Sequence, residues 1–308
     1  DILNERSPDQ NIYPREPSKD RTIIIMIAMF CMMLLSTLLG SRFGRLRNSA
    51  FIKRKCSSML ILTLYFIVMS FIVCATVMLA GQNIHVQRLC YMATWICLGF
   101  YFTCKLVIYV FFVERIHVVR APFVRRSRDW LYIGCMIVVI ASFLGVCVNA
   151  FRVPIMEVQE NGTCHMGLPV KASIPFLIIA TAVDIVQTGV FCYLLRPIVK
   201  TYGVRTITSA FRSRVTNEES ENDREEKETT VQKSIRILLW KSLVASILII
   251  LATVANVTQF YVAKGRVRAT ICLSTCLIDV CWDTVVIHWL TFGSAEAEKH
   301  LDRSTAAS

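Results

Sequence analysis

The chain has 308 residues and is 55% hydrophobic, with a mean hydropathy of +0.53, and its apolar residues gather in long runs instead of amphipathic stripes. That balance excludes an ordinary soluble enzyme or binding domain and leaves a polytopic membrane protein with no sizeable soluble domain. A formal net charge of +12 would suggest a nucleic-acid partner in a soluble protein. Here the lysines and arginines cluster in particular loops, which reads as membrane orientation, and no nucleic acid is expected.

In chain order, residues 1–21 are polar, carry Pro14 and Pro17, and read as a flexible extracellular tail. The chain opens on Asp1, so the native start is expected to lie further upstream. Seven apolar runs follow, at about 22–40, 59–80, 89–113, 130–150, 173–195, 237–263 and 269–292. Each is long enough to cross a bilayer as a helix, given about 20 residues at 1.5 Å per residue. Residues 22–292 are therefore expected to form an all-α membrane domain, a seven-transmembrane helix bundle. None of the runs shows the alternation of a membrane barrel, so no sheet is expected.

The stretches 41–57, 115–129, 196–241 and 293–308 hold more than twice as many Lys and Arg as the alternate set. The positive-inside rule then places the amino terminus outside and the 293–308 tail in the cytoplasm. Asn161-Gly162-Thr163, a glycosylation sequon, falls in the longest loop assigned outside and agrees, making Asn161 the candidate glycosylated residue. A second match, Asn256-Val257-Thr258, lies inside the sixth run and reads as chance. The 200–232 loop contains NEESENDREEKETT, too charged and too poor in apolar residues to fold, and is expected to be disordered.

Thirteen cysteines would suggest a disulfide scaffold, but most lie inside apolar runs, where a thiol is a small hydrophobe. Cys90 and Cys164 are the two near or beyond the outer face. An oxidising exterior would let them pair and tie the sequon loop over the bundle; the alternative is two unpaired thiols.

The third run ends in Glu114-Arg115-Ile116, followed by Pro122 and Phe123. Seven spans with an outside amino terminus, a cysteine topping span three, a second in the next outer loop, and this acid-arginine pair resemble a rhodopsin-like G-protein-coupled receptor. The resemblance implies that Arg115 helps receive the carboxyl-terminal helix of a heterotrimeric G protein, that Glu114 restrains it at rest, and that Phe123 packs on the G protein beside Pro122. It further implies an extracellular ligand, of unknown identity, and a plasma-membrane location. A guanidinium suits exchange of one partner for another, because it stays charged and presents several donors; an arginine snorkelling to lipid phosphate is the plainer reading. The chain departs from the family pattern elsewhere. No acid lies between Met59 and Ala80, Trp130 stands at the end of its run, ILATVANVTQFYV contains no proline, and Asp283-Thr284-Val285-Val286-Ile287 stands where Asn-Pro-x-x-Tyr is usual. Phrases such as VERIHVVRAP, RDWLYIGCM and VIHWLT are similar to uncharacterised fungal seven-pass proteins.

Charge inside the runs is the second signal. Lys105, Asp184, Asp279 and Asp283 each cost a few kcal/mol in lipid, so they are expected to face inward and pair. Asp279 and Asp283 are four apart and share a helix face. The group reads as a polar switch, an ion site or a proton path, or as a structural Lys-Asp bridge. Thr94, Trp95, Asn256, Gln259 and Ser274 are candidate ligand contacts, as polar or aromatic groups in outer helix halves.

The five histidines fall in separate elements without metal-ligand spacing, no Ser-His-Asp grouping or phosphate-cradling glycine loop occurs, and 269–292 has no lysine for a retinal pigment. No enzyme activity, cofactor or metal is therefore expected. A secondary transporter or proton-coupled carrier using Lys105, Asp184, Asp279 and Asp283 is the alternative function. A scaffold whose acidic 218–228 segment binds partners is a third.

Overall fold

A computed structural model describes residues 18–49, 56–81, 87–120, 128–152, 155–158, 164–167, 178–179, 181–193, 240–259, 262 and 267–306. These form α1 (Ser18–Gly40), α2 (Phe43–Arg47), α3 (Cys56–Gly81), α4 (Gln87–Arg120) and α5 (Trp130–Arg152). They continue with α6 (181–193), α7 (Trp240–Gln259) and α8 (Ala269–Ala306). The described fold is nearly all helical, and six helices, namely α1, α3, α4, α5, α7 and α8, are long and apolar enough to cross a membrane. The described part of α6 is too short to be counted with them.

Long runs of Leu, Ile, Val, Phe and Met take helical form in lipid because a helix satisfies its backbone groups within the segment. The hydroxyls embedded in these runs do the same. Those of Thr37, Ser70, Thr76, Thr103 and Thr284 each donate to the carbonyl four residues earlier, at 2.6–2.8 Å. At α5, Asp129 caps the first turn by accepting from the Leu131 N–H at 3.2 Å.

α4 and α8 occupy the middle of the bundle, with 56% and 67% of their apolar windows buried, against 17% for α5 and 22% for α1. Aromatic pairs fasten α4 to its neighbours: Phe71 on Phe100 from α3, Tyr109 on Phe143 from α5, and Phe112 on Phe191 from α6, with ring centres 5.1–6.0 Å apart. Outward, Met26, Met29, Phe30 and Met33 of α1, Phe66, Val73 and Val77 of α3, and Ile137, Ile140 and Leu144 of α5 are exposed. So continuous an apolar surface is untenable in water and matches a lipid bilayer.

Two elements differ from the sequence expectation. α4 does not end at residue 113 but carries Glu114 and Arg115 inside the helix and continues to Arg120. α8 runs on as helix to Ala306, through Ala295, Glu296, Ala297, Glu298 and Lys299, all good helix formers. A small antiparallel sheet also appears where none is expected: β1 (Ile155–Val158), β2 (Cys164–Gly167) and β3 (Val267–Arg268), in the order β1-β2-β3. Its register pairs Val158 with Cys164 and Met166 with Val267. The sheet joins the loop after α5 to the turn before α8, and the Cys90–Cys164 disulfide fastens β2 to the top of α4, with the Cα atoms 5.7 Å apart. The pairing expected of these cysteines is present.

Candidate functional site

Lys105 lies deep on α4 and is 1% exposed. Its ammonium has three hydrogens to place. One goes to Asp283 Oδ2 at 2.6 Å and one to Thr253 Oγ1 at 2.7 Å. The third faces Asp279 Oδ2 at 3.1 Å. Thr253 is in turn held by its own helix, donating to the Ile249 carbonyl at 2.9 Å.

Asp279 Oδ2 is the busiest atom of the site. Besides Lys105 it accepts from the Tyr101 hydroxyl at 2.9 Å and from Asn256 Nδ2 at 3.1 Å. Tyr101 stands one turn before Lys105 on α4, and Asn256 stands one turn after Thr253 on α7. The site thus has two rungs, each drawing on α4, α7 and α8. Taking the disulfide end of the bundle as outer, the outer rung is Tyr101, Asn256 and Asp279; the inner is Lys105, Thr253 and Asp283. The second carboxylate oxygens of Asp279 and Asp283 are buried without a hydrogen-bond partner. One ammonium faces two carboxyl groups, so a single bound proton balances the formal charge. The arrangement can hold three helices together, and it can take up or release a proton.

Of the four intramembrane charges, the structure brings three together. Asp184 on α6 is buried but makes no ion pair with Lys105; its carboxyl and the Tyr109 hydroxyl of α4 approach each other, and α6 is tied to α4 through Gln187 Nε2, which donates to the Tyr109 carbonyl at 3.2 Å. α6 is tied to α7 by the Thr188 and Ser246 hydroxyls, 2.7 Å apart.

Toward the inner end, Glu114 and Arg115 are both buried. Arg115 turns into the bundle, away from lipid, and its Nε donates to Ser242 Oγ on α7 at 2.7 Å. Two residues on, His117 Nδ1 meets Asp129 Oδ2 at 2.9 Å, so the residue that caps α5 also holds α4. On the other side, the Tyr65 hydroxyl of α3 lies 2.7 Å from His288 Nδ1 of α8. Lys241 sits over the Trp289 ring, 5.9 Å from its centre.

The candidate ligand contacts are placed as follows. Asn256 belongs to the outer rung. The Thr94 and Ser274 hydroxyls turn back to carbonyls of their own helices. Trp95 packs against Tyr91, and Gln259 is half-buried near the end of α7. Asn161, Pro122 and Phe123 lie outside the described residues.

Sequence reasoning missed Tyr101, Thr253, Ser242 and the thiols Cys97, Cys272 and Cys276, whose sulphurs converge between α4 and α8. The available signal was spacing. Cys272, Cys276, Asp279 and Asp283 recur at intervals of four, three and four, a single stripe along α8. Tyr101 and Lys105 repeat the interval of four on α4.

The chain matches no protein-family model and no curated protein.

Proposed function

We propose that the chain is a seven-span receptor of the G-protein-coupled kind, with its amino terminus outside, its carboxyl terminus in the cytoplasm and the plasma membrane as its site. It transmits binding of an extracellular ligand to a heterotrimeric G protein. The observation that carries this reading is the bond from Arg115 to Ser242. A buried arginine at the inner end of the third span, latched to the sixth, is the arrangement a resting receptor of this kind requires. An arginine serving only as an anchor would point to lipid headgroups instead. Activation then consists of α7 moving away from α4, which frees the guanidinium for a new acceptor, as a shift in a pre-existing equilibrium between two states. The outer disulfide and the hairpin it fastens would form the lid of the ligand entrance.

The test is nucleotide exchange on a panel of purified Gα subunits with the protein in lipid vesicles. The intact chain is expected to accelerate exchange on at least one Gα, and Arg115→Ala is expected to abolish that effect. Acceleration that survives in Arg115→Ala would remove Arg115 from the mechanism.

A proton-coupled carrier is the second reading, favoured by the unpartnered carboxylate oxygens of Asp184, Asp279 and Asp283 inside the bundle. It predicts proton flux in the same vesicles that Asp283→Asn eliminates and Arg115→Ala leaves intact. A receptor instead gives nucleotide exchange that Arg115→Ala abolishes and Asp283→Asn only retunes.

A further inference from the structure

We propose that Cys97, Cys272 and Cys276 form a binding site for a soft monovalent metal ion of the Cu(I) class. The site stands apart from the receptor reading. All three thiols are buried, none is in a disulfide, and their sulphurs all lie within 4.8 Å of one another. Cys97 Sγ and Cys272 Sγ are 3.9 Å apart. Two sulphurs that far apart can both reach one ion at about 2.3 Å, the length of a metal–thiolate bond. The third ligand, Cys276, stands one turn along α8 from Cys272, so the helix itself sets two ligands on one face and α4 supplies the other.

The donor set selects the ion. Three sulphurs with no oxygen or nitrogen among them are soft ligands, which excludes calcium and magnesium. Among the described residues no further His, Cys, Asp or Glu joins the cluster to complete the four-coordinate shell that zinc prefers. A d10 ion content with three sulphurs fits. Each thiol that ligates as thiolate releases its proton to solvent. The site is near the outer face: Cys97 lies seven residues along α4 from the disulfide-bonded Cys90, about 10 Å. Cys272 stands in the first turn of α8, beside β3.

The plain alternative is three small hydrophobic side chains in close packing, and metal titration separates the two. The purified full chain, kept anaerobic with ascorbate, is titrated with Cu(I) against a coloured competing chelator. One ion per chain is expected to be withheld from the chelator, with X-ray absorption reporting sulphur neighbours alone at about 2.2–2.3 Å. Cys97→Ser and Cys276→Ser are each expected to weaken binding at least about tenfold. Cys276→Met keeps a soft donor of similar bulk and is expected to retain more affinity than Cys276→Ser. Cys192→Ser, on the exposed side of α6 and outside the cluster, is expected to bind as the parent does. The helical circular dichroism of each variant shows whether it has folded. The proposal is overturned if the folded parent withholds no ion, if folded Cys97→Ser binds as tightly as the parent, or if zinc occupies the site as readily as Cu(I).

Discussion

Every hydrogen of the Lys105 ammonium is committed, and that sets what its loss would do. A buried ion pair gains little over well-packed apolar groups, but removing one partner strands the other, at a cost of about 3–5 kcal/mol. Lys105→Met keeps the length and removes the charge. It is expected to lose about that much stability in reversible unfolding from mixed micelles. Lys105→Met combined with Asp279→Asn and Asp283→Asn is expected to recover most of it, because no charge is then left alone. A triple variant no more stable than Lys105→Met would mean that the network matters through packing instead. This pairing was legible in the sequence because a charge in an apolar run must find a partner, and because an interval of four puts Asp279 and Asp283 on one face. That Asp184 stays out was not legible. Asp184, Gln187 and Thr188 share one face of α6, so its pattern says which side turns inward but not which partner each residue meets there. Thr253 was missed because a threonine hydroxyl in a membrane helix can satisfy itself on its own backbone, and Tyr101 because an aromatic ring in an apolar run reads as packing.

Among the elements, the hairpin is held most firmly at Cys164. The disulfide closes a separation of 74 residues between α4 and β2, and bridges of this kind contribute about 2–4 kcal/mol. Cys164→Ser is expected to lose stability of that order, with hydrogen exchange accelerated in β1 and β2 and unchanged in the middle of α4. Exchange that speeds up equally everywhere would mean that the bridge supports the whole bundle and not the cap. The disulfide was readable because so few cysteines lie outside the apolar runs. The strands were not. Ile155–Val158 and Cys164–Gly167 are only four residues each, too short to show a period. The inner end of α4 was set too early for a related reason. Hydropathy marks where a helix leaves lipid, and the backbone continues as helix past that point while its side chains keep partners, as Arg115 does with Ser242.

For the whole molecule, the latch between α4 and α7 makes two substitutions act in opposite directions. Arg115→Ala removes the group that a G protein would engage. Ser242→Ala leaves that group in place and only loosens its hold on α7. Basal nucleotide exchange is therefore expected to fall with Arg115→Ala and to rise about tenfold or more with Ser242→Ala, since a lost hydrogen bond to a charged group is worth about 1.5–3 kcal/mol. Equal loss in both would reduce the contact to a structural one. The seven spans proposed would put the two ends of the chain on opposite sides of the membrane. Impermeant labelling of tags in intact cells is expected to mark the amino-terminal tag alone; labelling both or neither would require an even number of spans. Helical architecture and membrane residence were legible as a whole, from run length and composition. The order of burial, with α4 and α8 at the centre, was not, because runs of nearly uniform hydropathy carry no record of which neighbours each helix will meet.

The two carboxylates that share Lys105 stand one helical turn apart on α8, with the ammonium bonded to both. If α8 slides along α4 in either direction, it stretches one contact while the other can follow. The pair therefore acts as a detent. It has a preferred position and resists displacement both ways, and a slip of four residues, about 6 Å, would carry one carboxylate into the place the other had held.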